Sequence, residues 1–278
     1  MQVYNKYLDQ QVAGTEVDAH GEKRTKEFFE KLINSYPPRL PLTQQHDMSK
    51  ETLGYLENFR LIPSKNVQGE WSLIADIYIT SDDIDEALKG FSISVTETIG
   101  GNTTSPKYYV HLPFPLYNDK EFIESLIGSD KDLLVGKLIK KSVDPVAIGL
   151  ITASVALILG PEWDIQYKRH VRPAMGKLLE HIPKLLQRNV SPDLIQHVVG
   201  KLDEAIKVYF IPDRRDIIGS YEEKYILQAI GEVGEFLNGD SKAGITGVGM
   251  IKLYFDRDNR KYILFHVQYL DGADVQIA

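Results

Sequence analysis

Cysteine is absent from this sequence of 278 residues. Its absence excludes disulfides, thiolate metal sites and a cysteine nucleophile. The first residues also lack the basic region and apolar run that together mark a secretory signal. Both absences are typical of a cytoplasmic protein, and we therefore expect a cytoplasmic location.

Strong compositional bias is also missing. Hydrophobic residues make up 43% and charged residues 26% of the chain, which argues against a disordered chain and against a membrane protein with several spans. The length is sufficient for one large or two modest domains with a sizeable core. The formal net charge of −7 argues against nucleic acid as a partner.

The charge is unevenly distributed along the chain. Between Gly136 and Pro212, basic residues outnumber acidic residues by four, so the remainder is strongly acidic. This asymmetry indicates that the middle segment faces something anionic. Lipid headgroups, an acidic partner and the chain's own acidic parts are the three alternatives.

One long uncharged run is present, from Pro145 to Pro161. As a helix it would be about 25 Å long, against a hydrocarbon core of about 30 Å. Lysines precede it, and Trp163 and Tyr167 follow it, as at the ends of a membrane span. Its many small residues fit a helix buried in a soluble oligomer equally well. The pattern therefore predicts an apolar helix over 145–161, either in contact with a membrane or buried at a subunit interface.

The central and carboxy-terminal parts predict two further regions. Helices are expected up to Ile127, from Ser129 to Lys141, from Pro173 to about Val190, and after a Ser191-Pro192-Asp193 cap. A capping box at Ser220 and Glu223 predicts another helix, and a long hairpin follows it. His170, His181 and His197 have no metal-binding spacing, so they are expected to be surface residues.

A histidine and a serine in the amino-terminal part are candidate catalytic residues. His46 follows a short extended piece, and Ser92 lies in an alternating strand. A serine hydroxyl becomes a useful nucleophile when a histidine lies within hydrogen-bond reach. The alternation places Phe91, Ile93 and Val95 on one face and Ser92, Ser94 and Thr96 on the other. Periodicity alone does not choose between Ser92 and Ser94.

Several short patterns follow one another in the first 119 residues. They are an amino-terminal strand ending in Val17-Asp18-Ala19-His20-Gly21-Glu22, a helix, Gln45-His46-Asp47, Leu53-Gly54-Tyr55-Leu56, an alternating strand, and Leu88-Lys89-Gly90-Phe91-Ser92-Ile93-Ser94. This order resembles the prohead (capsid maturation) proteases of tailed bacteriophages, which share a barrel fold with herpesvirus assemblin. The resemblance covers residues 1–119 and implies an assemblin-like β-barrel with flanking helices.

The resemblance also implies an activity. His46 matches the family's catalytic histidine and Ser92 its nucleophile, which implies a serine endopeptidase that acts on protein substrates or on itself, without a cofactor or metal. The chain departs from the family where Ser94 replaces a glycine. Assemblin-like enzymes use a second histidine as the third member and phage relatives often use a carboxylate. His111 is the downstream candidate, and the alternative for it is a strand histidine that faces solvent.

The sequence therefore predicts an α+β protein with three parts. These are a prohead-protease-like barrel at 1–119, a helical region with its apolar helix at 120–212, and a small α+β unit with a long hairpin at 213–278. Two other functions stay open beside the endopeptidase. One is an inert protease-like sensor coupled to a membrane-acting helical effector, which would suit anti-phage defence. The other is a soluble oligomeric structural protein. We also expect the chain to form a homo-oligomer.

Overall fold

The protein is an α+β chain made of two compact units, which confirms the predicted class. The computed structural model describes residues 3, 5–18, 21–35, 38–44, 52–80, 91–92, 94–101, 108–140, 147–158, 165 and 167–277. The units are Met1–Ile93 and Ser94–Ala278. The predicted boundaries after residues 119 and 212 both fall inside the second unit.

In its described residues the first unit contains one antiparallel sheet and one helix. Its strands are β1 (Asn5–Gly14), β2 (Leu40–Gln44), β3 (Gly54–Pro63), β4 (Trp71–Ile79) and β5 (Phe91–Ser92), and its helix is α1 (Lys26–Ser35). The strand order is β1-β4-β3-β2-β5, with antiparallel pairing throughout. Among the described residues this sheet is open and forms no closed barrel.

The core of the first unit lies on one face of this sheet. Alternate residues of β4, together with Leu42 of β2 and Leu56 of β3, are almost fully buried there, as the period of two in a strand requires. Helix α1 contacts β3 and contributes the buried Phe29. Strands β2 and β4 confirm the short extended piece before His46 and the alternating strand that the sequence predicts.

The opposite face of the sheet is organised around Asp76 of β4. The two strands that flank β4 each have a bulge, at Asp9 in β1 and at Asn58 in β3, and both residues have positive φ angles, of 56° and 57°. The backbone N–H of Asp9 donates to Oδ1 of Asp76 over 3.0 Å, and Nδ2 of Asn58 donates to Oδ2 over 2.9 Å. One buried carboxylate therefore stabilises both bulges.

The second unit contains a nine-stranded mixed sheet. Its strands are β6 (Ser94–Gly101), β7 (Tyr108–Leu112), β8 (Leu133–Lys140), β9 (Ala147–Ile158), β10 (Val190–Val199), β11 (Ala205–Ile211), β12 (Val248–Asp256), β13 (Lys261–Tyr269) and β14 (Asp274–Gln276). Its α-helices are α2 (Lys120–Ile127), α3 (Arg172–Leu179), α4 (Ile182–Gln187), α5 (Ile217–Ser220), α6 (Glu223–Gly239) and α7 (Ala243–Thr246). The described part of this unit also contains a 3₁₀ turn at Leu116–Asn118 and a π turn at Tyr167–Val171.

The strand order of this sheet is β14-β13-β12-β11-β10-β9-β7-β8-β6. Helices α2, α3, α4 and α6 contribute apolar residues such as Phe122, Met175, Leu185 and Ile230 to one core that also includes strand residues. Each of these helices buries one stripe against the sheet, which is the usual way in which an amphipathic helix is stabilised. Helix α6 and the β12–β13 hairpin confirm the two elements predicted for the carboxy-terminal part, although α6 begins at Glu223, with Glu222 as its N-cap, because the predicted cap Ser220 ends α5.

The predicted apolar helix over 145–161 is wrong. Residues Ala147–Ile158 form β9, which pairs antiparallel with β7 and parallel with β10. A strand enclosed on both sides reads as a continuous apolar run, and periodicity alone does not distinguish it from a buried helix. In the described part of the chain no helix is long and apolar enough to cross a membrane.

The helical region predicted at 120–212 is wrong in two further places. The predicted helix from Ser129 to Lys141 is largely β8, and the one predicted after Ser191-Pro192-Asp193 is β10 followed by β11. The supposed cap residues lie in the parallel ladder with β9, where Pro192 is opposite Gly149. Long-range pairing overrides the local capping signal here. Helices α2, α3 and α4 agree with the prediction.

Candidate functional site

The strand that carries Ser92 pairs directly with the strand that leads to His46. In the antiparallel β2–β5 ladder, Ser92 is opposite Thr43 and Phe91 is opposite Gln44. Neighbouring strands are about 4.8 Å apart. His46 itself lies outside the described residues, two positions after the end of β2. The fold of the first unit thus brings together two segments that are far apart in sequence.

The register also assigns position 92 to one face of the sheet. Directly opposed residues of an antiparallel pair share a face, and so do residues two apart on one strand. Through Thr43 and Pro41 of β2 and Tyr55 of β3, position 92 shares the face that carries Asp76, not the core face of Leu56. Position 92 is therefore on the polar face of the sheet.

That face carries a column of two stacked aromatic rings with a cation at each end. The rings of Tyr55 and Tyr78 stack with centroids 4.8 Å apart, Lys6 lies over Tyr78 and Arg39 lies over Tyr55. Both outer ring faces are thus covered by cations of the chain itself. The column is a structural feature of the sheet rather than a stacking platform for a planar ligand.

Ser94 lies in a different sheet from Ser92. It is the first residue of β6 and is opposite Lys140 of β8 in the second unit. The two serines, which periodicity could not separate, therefore belong to different units of the fold.

His111 is a buried residue of the second unit. It lies in β7, opposite Gly136 of β8 and Leu150 of β9, with 9% of its surface exposed. Its ring stacks on Tyr109 with centroids 5.8 Å apart, and among the described residues Nδ1 has no hydrogen-bond partner. Burial lowers the pKa of His111 to about 4, so the imidazole is neutral at pH 7. The solvent-facing alternative for this histidine is wrong.

Acid is expected to destabilise the second unit because of this histidine. Neutral His111 takes up no proton above pH 4, whereas the unfolded chain takes one up below pH 6.5. Between pH 4 and 6.5 the unfolded state therefore binds more protons than the folded state. The stability that neutral His111 contributes to the folded state is complete above pH 6.5 and is lost as the pH falls toward 4. The loss is about 1.4 kcal/mol per pH unit, or about 3 kcal/mol in all. Urea titrations of wild type and His111→Phe between pH 4 and 7 test this, and equal pH slopes would contradict it.

Buried charged residues form a second polar feature, in the second unit. Lys252 of β12 is directly opposite Tyr209 of β11 and His266 of β13, so the three residues share one face of the sheet. Lys252 and His266 are 0% and 1% exposed. Nε2 of His266 is 3.4 Å from Oδ2 of Asp274. Burial lowers the pKa of His266, and the nearby Lys252 acts in the same direction.

Asp193 of β10 is also fully buried, and it is paired with Arg214. Nη2 of Arg214 is 2.6 Å from Oδ1 of Asp193, and Nη1 donates to Oγ of Ser191 over 2.6 Å. Burial and the carboxylate of Asp193 raise the pKa of Tyr209 to about 12. The buried charge is therefore compensated within the chain, as low-dielectric burial requires.

Sequence reasoning missed these buried charges. In the sequence, Lys252 stands between Ile251 and Leu253. This alternation of apolar and polar residues is typical of a half-exposed strand with the lysine facing outward. Asp193 resembles a helix cap. No local pattern marks either as buried, because burial depends on strands that are distant in sequence.

Three basic residues of the middle segment form ion pairs with acidic residues elsewhere in the chain. Arg172 is 2.8 Å from Glu223, Lys177 is 3.5 Å from Asp132, and Arg188 is 3.5 Å from Asp119. All three carboxylates lie outside residues 136–212. These ion pairs favour the third of the three alternatives, the chain's own acidic parts, over a lipid or an external acidic partner.

One histidine of the middle segment, His181, is buried. His181 is 6% exposed, so its predicted surface position is wrong, and its ring lies 6.2 Å from that of Tyr108. Burial lowers the pKa of His181, and Lys184 acts in the same direction. Among the residues that the structure describes, no group of three His, Cys, Asp or Glu could hold a metal ion.

Comparison with protein-family models, with curated proteins and with solved structures found no match to this chain.

Proposed function

We propose that the chain is a serine endopeptidase of the prohead-protease type, with Ser92 as nucleophile and His46 as general base. The observation that carries the proposal is the β2–β5 ladder, which pairs Ser92 with Thr43. His46 is three residues beyond Thr43, and three residues span at most about 11 Å. The backbone of Ser92 therefore pairs with β2 three residues before His46 in the chain, which supports the assignment of these two residues to one site.

The proposed chemistry uses only these two side chains and backbone. Oγ of Ser92 attacks the peptide carbonyl carbon while His46 takes the hydroxyl proton, and His46 then donates that proton to the leaving amine. Water hydrolyses the acyl-enzyme with His46 again as the base. The substrate is a protein or the chain itself, and no cofactor enters. An assemblin-like fold of the first unit is part of this proposal.

His111 lies in the second unit and is a weak candidate for the third member of such a site. With a pKa of about 4 it is neutral, so it could accept a hydrogen bond from an imidazolium but would not offset its charge. A carboxylate provides that charge in the triads that use aspartate. We therefore expect His111→Gln to reduce activity much less than His46→Ala.

Covalent labelling tests the proposed function. A fluorophosphonate should add one adduct to the wild-type chain, detected by intact mass, and a peptide map should place it on Ser92. Ser92→Ala should abolish the adduct, because its hydroxyl is the attacking group, and His46→Ala should slow labelling by about 100-fold or more, as expected for loss of a general base. Ser94→Ala is the matched control and should label like the wild type. Equal labelling of Ser92→Ala would exclude this site.

Intact-mass analysis of the unlabelled proteins tests self-processing. A shortened species in the wild type, absent from Ser92→Ala, would identify both the activity and its nucleophile. Truncation present in both proteins would instead identify a contaminating protease.

The membrane-acting alternative has lost the observation that motivated it. It required an apolar helix over 145–161, whereas Ala147–Ile158 is a strand within the nine-stranded sheet. The proposal of a soluble oligomeric structural protein does not depend on that helix, and a chain that fails to label would favour it.

A further inference from the structure

Strand β14 forms one edge of the nine-stranded sheet. In the described part of the chain its only ladder is the one with β13. Val275 and Ile277 are 44% and 49% exposed, and Gln276 is exposed as well. This edge is therefore open to solvent, and an open edge presents backbone N–H and C=O groups with which a further strand can pair.

The hydrogen bonds to β13 show which backbone groups of β14 point away from the sheet. The carbonyl of Ala273 accepts from β13 over 2.8 Å, and the N–H of Ile277 donates to β13 over 2.9 Å. Along an antiparallel strand, alternate residues direct their backbone groups to opposite sides. Asp274 and Gln276 therefore direct their N–H and C=O groups away from β13, so the edge offers two donors and two acceptors.

This edge lacks the features that protect β1, an edge strand of the other sheet. Strand β1 has a bulge at Asp9, whose N–H is turned toward Asp76, and bulges hinder the pairing of an edge with another chain. Strand β14 keeps a regular register with β13 and contains neither proline nor lysine. Its outward backbone groups can therefore form a regular ladder.

We propose that β14 pairs antiparallel with β14 of a second copy of the chain about a two-fold axis. One register uses every outward group, with Asp274 opposite Gln276 of the second copy and Val275 opposite Val275 of the second copy. Each copy then donates two hydrogen bonds and accepts two. A register with Asp274 opposite itself would instead juxtapose two carboxylates, which is unfavourable. The two nine-stranded sheets thus become one continuous sheet.

The side chains of β14 fit the same register. The carboxylate of Asp274 is 3.4 Å from Nε2 of His266 in its own chain, and its neighbour across the ladder is the uncharged Gln276. The two Val275 side chains meet at the axis as a non-hydrogen-bonded pair, where opposed side chains are closest. Ile277 lies on the same face as Val275. Pairing therefore brings exposed apolar side chains of both copies together without opposing like charges.

The expected association is weak. A ladder of this length belongs with the small interfaces, below about 1,200 Å² in total, that characterise transient contacts. We therefore expect a reversible dimer with a dissociation constant of about 10–100 μM. This inference does not depend on the proposed hydrolase activity, and it assigns a surface to the expected homo-oligomer.

A single cysteine tests the two-fold pairing directly, because the chain contains no other cysteine. In Val275→Cys the two Cβ atoms would be about 4.5–5.5 Å apart, close to the separation of about 3.5–4.5 Å in a disulfide. Under mild oxidation this variant should form a covalent dimer at least about tenfold faster than Val67→Cys, because pairing raises the effective concentration of the thiols. Val67 is the matched control, since it is 43% exposed and lies between β3 and β4.

Charge substitutions at the same position test the association of the full-length protein. Val275→Asp and Val275→Lys should each sediment as a monomer at concentrations where the wild type dimerises, because like charges meet at the axis. An equimolar mixture of the two variants should recover the dimer, since opposite charges then meet. Val67→Asp should dimerise like the wild type.

Each outcome decides the proposal. Rapid cross-linking at position 275, together with loss and recovery of the dimer in the charge variants, supports it. A wild type that stays monomeric well above 100 μM overturns it. A dimer that persists in Val275→Asp also overturns it, because another surface then associates. If a charge variant fails to fold, as circular dichroism would show, the cross-linking rates decide, and equal rates for Val275→Cys and Val67→Cys overturn the proposal.

Discussion

Gly54→Ala is expected to unfold the first unit. Gly54 begins β3 and is opposite both Leu42 of β2 and Ile79 of β4, so it lies inside the sheet. A Cβ atom at this position would be 1.9 Å from the carbonyl oxygen of Tyr78. This carbonyl group cannot move aside as a flexible side chain can, because it belongs to the backbone of β4, an interior strand of the sheet. The expected loss is more than about 3 kcal/mol, at the upper end of the effects of overpacking a core.

Urea denaturation followed by circular dichroism and by hydrogen exchange measures this loss. Gly21→Ala is the matched control in the same unit, since Gly21 has a φ angle of +76° but open space around its Cβ direction. That control carries only the strain of a left-handed backbone, about 1 kcal/mol. Its effect should therefore be much smaller than that of Gly54→Ala. Similar midpoints for the two variants would show that the clash at Tyr78 does not exist.

The same substitution also bears on the proposed active site. Strand β3 supports β2, and β2 pairs with the strand of Ser92. Gly54→Ala should therefore abolish labelling of Ser92 along with the fold of the first unit. Labelling that survives would place the reactive serine outside this sheet.

Arg214→Met is expected to have the largest effect in the second unit. It would leave the fully buried carboxylate of Asp193 without the guanidinium that lies 2.6 Å away. Removal of one partner of a buried ion pair is destabilising by about 3–5 kcal/mol, because an uncompensated charge stays in a low-dielectric interior. Methionine retains most of the length of the arginine side chain, so the loss reports the charge more than the packing.

A second substitution separates the buried charge from the rest of the effect. Asp193→Asn combined with Arg214→Met removes both charges. It should recover more than half of the lost stability, because no charge then stays buried without the ion pair. Arg172→Met is the matched control, because its ion pair with Glu223 is largely exposed and should contribute less than about 1 kcal/mol. A double variant no more stable than Arg214→Met would contradict this account.

Elements with a strong local pattern were predictable. Strand β4, with its alternation from Trp71 to Ile79, and helix α6, with its apolar stripe, agree with the sequence prediction. The helix predicted up to Ile127 is also present as α2, where the carboxylate of the N-cap residue Asp119 accepts the N–H of Phe122. In each case the signal lies within one element, so neighbours in sequence are sufficient to determine it.

Strands β8, β9 and β10 were not predictable in the same way. The run at 147–158 and the Ser191-Pro192-Asp193 motif are compatible with helix locally. Each becomes a strand because its ladder partners are available, as when Pro192 is opposite Gly149. Pairing between segments separated by dozens of residues leaves no mark in a local window.

The candidate site was likewise predictable only in part from the sequence. The sequence by itself determined the α+β class, the absence of any cysteine chemistry, and a pair of candidates, Ser92 and His46, whose choice depended on a family resemblance. Only the tertiary structure decided that Ser92 and Ser94 belong to different sheets, that His111 is buried and neutral, and that Asp193 and Lys252 lie in the interior. The physical reason is that periodicity reports which residues share a face, whereas register and burial depend on which distant strands lie beside that face.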